Sequence, residues 1–299
     1  MKFVDVKNDV AFRKIFGNEQ KKVILISFLN AVLELEGLDK IQNITLVDPF
    51  QLPRIRGEKA SIIDVRAKDA RGRSFIIEMQ VVEKEGFAKR IQYYICKDYA
   101  SQINIGDDYP KLKPVYFVGI LNFAFFPGKN YFSKHLIIDE ETGICSLQDL
   151  KFRFIELTKF KKREHELQTI VDKWTYFIKK AHKLKVIPSN TEDKGLVTAY
   201  EEAEKHNWTP KEYDAYIYAG MRAQDAIQER EFAEKKGNKI GHEEGKKVGV
   251  KIGVKLGVKN TKEKVVIRCL QNGMDVEMTA QIADISVEEV VLIKEKHQL

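Results

Sequence analysis

The 299-residue sequence predicts an α/β protein, a mixed sheet flanked by helices and followed by an all-helical C-terminal region. Three observations carry this prediction. Apolar residues at helical spacing open the chain, a series of short β-branched and aromatic runs separated by turn residues follows, and from about Lys159 the periodicity is helical throughout. Hydrophobic residues make up 43% and charged residues 32% of the chain, which excludes wholesale disorder and suffices for one sizeable core with a smaller appended region.

Residues 7–16 and 21–36 place Val10 and Ile15, then Val23, Ile26, Leu29 and Leu33, at helical spacing, with Gly17-Asn18 between them and Gly37 as a stop. A strand over 41–47 precedes Asp48-Pro49. Residues 61–68 and 74–82 then read as two strands joined by Lys68-Asp69-Ala70-Arg71-Gly72-Arg73, a hairpin connection centred near Arg71. An amphipathic helix over about 86–105 and strands near 114–123, 135–139 and 152–157 complete the sheet. The longest apolar run, 115–127, is interrupted by Gly119 and Asn122 and is too short to cross a bilayer, so it reads as a buried central strand. No membrane association is expected.

Helices over 164–184 and 193–205 follow, punctuated by Pro188 and Pro210, and Trp208, Tyr213, Tyr216 and Tyr218 form an aromatic cluster suited to helix packing. Glycine then recurs at every fourth position, at 237, 241, 245, 249, 253 and 257. Glycine weakens an isolated helix, so the pattern fits a helix that pairs with a second copy or packs on its own protein, with a β-ribbon as the alternative. A homodimer or higher homo-oligomer through the C-terminal region is expected. The predicted organisation is a core over 1–158, a helical extension over 159–230, the glycine-periodic helix over 231–262 and a small helix-turn-helix-like tail over 263–299. The last helix of that tail begins Ser286-Val287-Glu288-Glu289, and carboxylates at that end disfavour reading of DNA.

The net charge of +7 suits a polyanionic partner such as nucleic acid. Cys96, Cys145 and Cys269 are too few and too far apart for a disulfide framework or a structural zinc site, which suits a reducing cytoplasm, and the chain opens without an apolar leader. None of the six histidines has a metal-ligand spacing. Phosphate loops, nucleophile elbows and dinucleotide fingerprints are absent, which removes support for nucleotide hydrolysis and acyl transfer.

The hairpin concentrates the chemistry. With the turn near Arg71, Asp64 lies opposite Glu78, and the period of two puts Gln80 on the same face while Ile77, Met79 and Val81 take the other. Opposed carboxylates destabilise a sheet unless a cation sits between them, and a hard divalent ion such as Mg2+ takes one or two carboxylates plus waters. Arg90, Tyr94 and Lys97 recur on one face of the next helix, suited to contacting phosphate.

Four stretches in order, Asn8-Asp9-Val10-Ala11-Phe12-Arg13, Ile62-Ile63-Asp64-Val65, Ile77-Glu78-Met79-Gln80 and Phe87-Ala88-Lys89-Arg90 with Tyr94, resemble the PD-(D/E)XK nuclease superfamily. More closely, the chain resembles its recombination-promoting nuclease and transposase-type branch, which carries E-x-Q in place of E-x-K, over roughly residues 3 to 185. The resemblance implies a restriction-endonuclease-like core in the bacterial cytoplasm that cleaves DNA with Mg2+, or Mn2+, in recombination or mobile-DNA processes. It implies that Asp64 and Glu78, helped by the Met79 carbonyl, ligate the metal. Gln80, a neutral amide that cannot act as a base near pH 7, would orient water or a phosphate oxygen. Asp9 matches the acidic residue of the family's first helix, where it would support a second ion or a water of the first; a helix-capping role is the competing reading. Arg13, Arg90, Tyr94 and Lys97 would contact DNA. Residue 63 is Ile where the motif has Pro, and the missing lysine leaves a catalytically weak DNA-binding or assembly protein of the same fold as the alternative.

Overall fold

The computed structural model describes residues 2–51 and 61–299. In chain order the elements are α1 (Asp9–Phe16), α2 (Val23–Leu33), β1 (Ile44–Val47), β2 (Phe50–Gln51), β3 (Ser61–Ile62), β4 (Val65–Asp69), β5 (Ser74–Gln80), α3 (Phe87–Ala100), β6 (Val115–Leu121), β7 (Phe132–Ile137), β8 (Leu147–Glu156), α4 (Ile170–Lys180), α5 (Lys194–Ala203), α6 (Pro210–Gln271), α7 (Val276–Ala283) and α8 (Val287–His297). Six strands form one mixed sheet in the order β1-β4-β5-β6-β8-β7. The β1–β4, β4–β5 and β7–β8 pairs are antiparallel, and β5–β6 and β6–β8 are parallel.

Helices cover both faces of the sheet. On one, Phe75, Ile77, Met79, Tyr116, Val118 and Ile120 share a core with α1, α2, α4 and α5; on the other, Ile76, Val115, Phe117 and Phe154 pack with Phe87, Ile91 and Ile95 of α3. This double cover explains why β6 is apolar without alternation, since all seven of its residues are buried.

The hairpin has the predicted centre, because Val65 pairs with Ile77 and Lys68 with Ser74. Its turn is fixed locally. Asp69 accepts from the N–H groups of Arg71 and Arg73 at 3.0 and 2.9 Å and from Arg73 Nε at 2.6 Å, and Gly72 takes the left-handed conformation (φ +79°) that a side chain would strain.

Three expectations need correction. The strand predicted over 61–68 is broken at Ile63-Asp64, and its first two residues pair instead with Phe50 and Gln51 in a separate two-stranded ribbon. The strands predicted near 135–139 and 152–157 begin earlier, at Phe132 and Leu147. Neither start carries the expected signal: β7 is a largely exposed edge strand with a register irregularity between His135 and Ile137, and the first half of β8 is not buried and includes Gln148, Asp149 and Lys151. The helix predicted over 86–105 stops at Ala100, where the Ser101 hydroxyl turns back onto the Asp98 carbonyl at 2.8 Å.

By contacts the chain divides into Met1–Ile227, which holds the sheet, and Gln228–Leu299. The second unit has its own small core of Val266, Ala280, Ala283 and Val290, and the periodic glycines lie in α6 with open space where each Cβ would be. Among the described residues no helix is long and apolar enough to cross a membrane.

Candidate active site

The break before β4 creates the site. Asp64 stands at the bend, one residue outside the last ladder pair, and its Oδ2 accepts the Met79 N–H at 2.9 Å. A side chain thus takes a main-chain donor that an uninterrupted ladder would pair with backbone, so Asp64 faces β5 near Glu78 without being its ladder partner. In a strand the N–H and C=O of one residue point to the same neighbour, so the Met79 carbonyl is directed to this edge as well. On the other side of β5, the Gln80 carbonyl accepts from Asn122 at 2.9 Å.

Helix α1 supplies the cationic counterpart. Asp64 Oδ1 accepts from Arg13 Nε at 3.1 Å and Nη2 at 2.8 Å, and the Asp64 side chain is only 8% exposed while that of Arg13 is half-exposed. The helix is capped by Asn8, whose Oδ1 accepts from Val10 and Ala11, so the carboxyl of Asp9 is not needed as the cap. Crowding by protein around that carboxyl and the nearby Asp64 charge raise the Asp9 pKa, against the opposing pull of Arg13, Arg222 and Lys84.

Glu78 is the most perturbed acid of the group. It is buried, and its Oε1 has no hydrogen-bond partner among the described residues. Burial first and the Asp64 carboxylate second push its pKa up to about 8, opposed by Arg90 and Arg13. Without a cation, Glu78 therefore holds its proton at neutral pH. The phenol of Tyr94 is raised by burial and by the same Glu78 charge.

Gln80 shares the face of Glu78. Its Oε1 accepts from Arg90 Nη2, and its Nε2 donates to the Val82 carbonyl at 3.1 Å. The Arg90 guanidinium also lies over the rings of Phe87 and Tyr94, at 5.4 and 6.0 Å, whereas the Lys97 ammonium lies over Tyr93 at 5.7 Å. Asp64, Glu78, Gln80, Asp9, Arg13, Arg90 and Tyr94 are thus drawn into one electrostatic group, and Lys97 is turned along its own helix.

Sequence reasoning missed the contributions of Arg222 and Lys84 to the field at Asp9, and that of Gly119. Arg222 arrives from α6 with no local signal. Gly119 is paired with Glu78 across β5–β6, and a Cβ there would sit 2.7 Å from the Phe154 ring, so glycine lets that ring close over the strand beside the carboxylate.

The donor set fits a hard divalent cation. Among the described residues no three His, Cys, Asp or Glu side chains gather as a metal cluster, but two carboxylates and a carbonyl are all oxygen donors, and Mg2+ keeps several waters. An orphaned buried carboxylate oxygen is the feature such an ion would satisfy.

The family model for PD-(D/E)XK nuclease family transposases matches residues 6–230. The chain belongs to this family. Its six-stranded mixed sheet with flanking helices is accordingly the restriction-endonuclease-like fold of PD-(D/E)XK nucleases. The match includes every residue of the site described above and extends past β8 into the first part of α6. No curated protein and no solved structure matches the chain.

Proposed function

We propose that this PD-(D/E)XK family member is a divalent-metal-dependent DNA endonuclease acting in recombination or on mobile DNA in the cytoplasm, and that it self-associates through its C-terminal unit. The observation that carries this reading is Glu78 Oε1, buried without a partner among the described residues, next to Asp64 and to the edge that bears the Met79 carbonyl. Asp64, Glu78 and Met79 would hold Mg2+ or Mn2+. When bound, the cation would supply Lewis-acid stabilisation of charge on the phosphate and a more acidic water.

The chain's own residues do the rest. Glu78 would hold such a cation only after giving up its carboxyl proton, which would couple affinity to pH. Arg90, fixed over Phe87 and Tyr94, holds the Gln80 amide, which is thereby set to orient water or a phosphate oxygen rather than to remove a proton. Arg13, half-exposed and on Asp64, would hold Asp64 in place and, from its exposed side, reach a phosphate oxygen. Hydrolysis adds water across one P–O bond of the backbone, leaving a phosphomonoester and a hydroxyl.

A second reading rests on Gln80 itself. With an amide where the wider superfamily has lysine, the same fold would serve as a weakly active or inactive DNA-binding and assembly protein. Supercoiled plasmid treated with wild type and Glu78→Gln in Mg2+, Mn2+ or EDTA separates the two. Nicking or linearisation that needs both metal and Glu78 is expected, and intact plasmid throughout, with DNA binding retained, would favour the second reading.

A further inference from the structure

Lys179, near the C-terminal end of α4, is held by main-chain carbonyls, Leu157 and Phe160, the latter at 2.6 Å, and has no carboxylate partner among the described residues. After burial, the largest influences on it are the cations Lys161, Lys180, Lys7 and Lys183. Of these, Lys7 is paired with Asp5 at 2.6 Å, while Lys161, Lys180 and Lys183 have no ion pair among the described residues. Lys161 and Lys183 are exposed, and Lys180 is half-buried. Burial and this like-charge crowding bring the Lys179 pKa down to about 8. The bonds to the Leu157 and Phe160 carbonyls set Lys179 beside the turn that continues into Lys161, while Lys180 and Lys183 follow Lys179 along the chain. Lys7 approaches through Asp5, which lies 2.6 Å from Lys7 and 3.6 Å from His182; among the described residues Asp5 is the one carboxylate paired with any of these five lysines. A bound polyanion relieves the repulsion among them.

The topology puts this cluster at the same end of the sheet as the acidic site. Strands β5, β6 and β8 run parallel, so the end of β5 that carries Glu78 and Gln80 and the end of β8 that leads to Leu157, Phe160 and Lys161 face the same way. One strand, β6, lies between them, a separation of about 10 Å at ordinary strand spacing. Lys7 precedes Asp9 by two residues and links the two features along the chain. The side chains of Glu78 and Gln80 take the face covered by α3 and α4 covers the other, so a ligand that touches both has to cross this end of the sheet, as a duplex would.

Resting on the nuclease reading above, we propose that Lys7, Lys161, Lys179, Lys180 and Lys183 form a phosphate track that holds the DNA backbone to one side of the cleaved bond. The track is sequence-independent, because ammonium groups contact phosphate and not base edges. The test uses the full-length triple variant K161A/K180A/K183A, which leaves the carbonyl-held Lys179 and the acidic site intact, with its melting temperature compared to wild type. Binding to a fluorescent 30-base-pair duplex in EDTA is followed from about 50 to 300 mM salt. Loss of about 2 to 3 from the slope of log affinity against log salt is expected, uniform across duplex sequences, with a matching rise in the KM for plasmid and little change in kcat. An unchanged slope in a folded variant, with wild type still binding and cutting DNA, overturns the track and leaves the nuclease reading intact. Wild type that cuts no plasmid but binds duplex through these lysines would remove the nuclease reading and keep the patch as a DNA-binding surface. Preference of wild type for vesicles of anionic phosphatidylglycerol over duplex, lost in the triple variant, would overturn DNA as the occupant.

Discussion

Glu78 ties stability to pH through one side chain, and with it the metal binding proposed above. Its carboxyl titrates near 8 in the folded protein against an ordinary 4.5, so between those values the folded state keeps a proton that the unfolded chain has released. The contribution of Glu78 to stability therefore falls as pH rises through that window. In EDTA, Glu78→Gln is expected to melt on the order of 5 °C above wild type at pH 8 and within about 2 °C of it at pH 5. A difference independent of pH would mean that Glu78 titrates normally. If Glu78 ligates a cation as proposed, the same proton must leave, so apparent Mn2+ affinity measured by calorimetry is expected to strengthen by up to about tenfold per pH unit from 6 to 8. Gln80 is separable from this effect. Gln80→Ala is expected to lower kcat by roughly tenfold to a hundredfold while Mn2+ affinity stays within about threefold, since in the proposed arrangement the amide orients and does not ligate. A parallel loss of Mn2+ affinity would place Gln80 among the metal-holding groups instead.

At the scale of elements, α3 carries Arg90 and Tyr94 and is clamped to the sheet by a buried ion pair. Asp98, 1% exposed, accepts from Arg66 and from the Ser74 hydroxyl, and Arg66 Nη1 also donates to the Asp48 carbonyl at 2.7 Å. Asp98→Ala leaves a largely buried guanidinium without its counter-ion, at a cost of about 3 kcal/mol. A denaturant midpoint shift of that size with unchanged slope is expected, and a loss below about 1 kcal/mol would show that water replaces the carboxylate. What the sequence revealed and concealed at this scale follows from where each signal resides. The hairpin was legible because Asp69 and Gly72 mark its turn and alternation sorts Glu78 and Gln80 from Ile77 and Met79. The break at Asp64 was not, since the donor that satisfies it, Met79 N–H, is a main-chain group that no residue type announces. Arg222 reaches the field of Asp9 across more than half the chain, a pairing that spacing alone does not encode. The exposed edge strand β7 lacked the alternation that a buried face imposes.

For the whole molecule, the open question is how a helix as glycine-rich as α6 persists beyond the first unit. Each glycine costs a helix roughly 1 kcal/mol relative to alanine, and six recur from Gly237 to Gly257. At 100° per residue, the glycine row lies between two apolar rows, Val250-Val254-Val258 on one side and Val248-Ile252-Leu256 on the other, with Lys247, Lys251, Lys255 and Lys259 nearly opposite. All six of these aliphatic residues are more than half exposed. A second copy of the helix would meet glycine and aliphatic groups and leave the lysines in water, so such a pairing would offset the propensity cost without bringing like charges together. Truncation after Lys235 removes this surface and keeps every residue of the acidic site and the lysine track. Light scattering is expected to give an oligomer for the full chain and a monomer for the fragment, with Mg2+-dependent plasmid cleavage retained by the fragment. An unchanged oligomeric state would locate self-association in the first unit, and loss of cleavage together with assembly would mean that the site needs two copies to act.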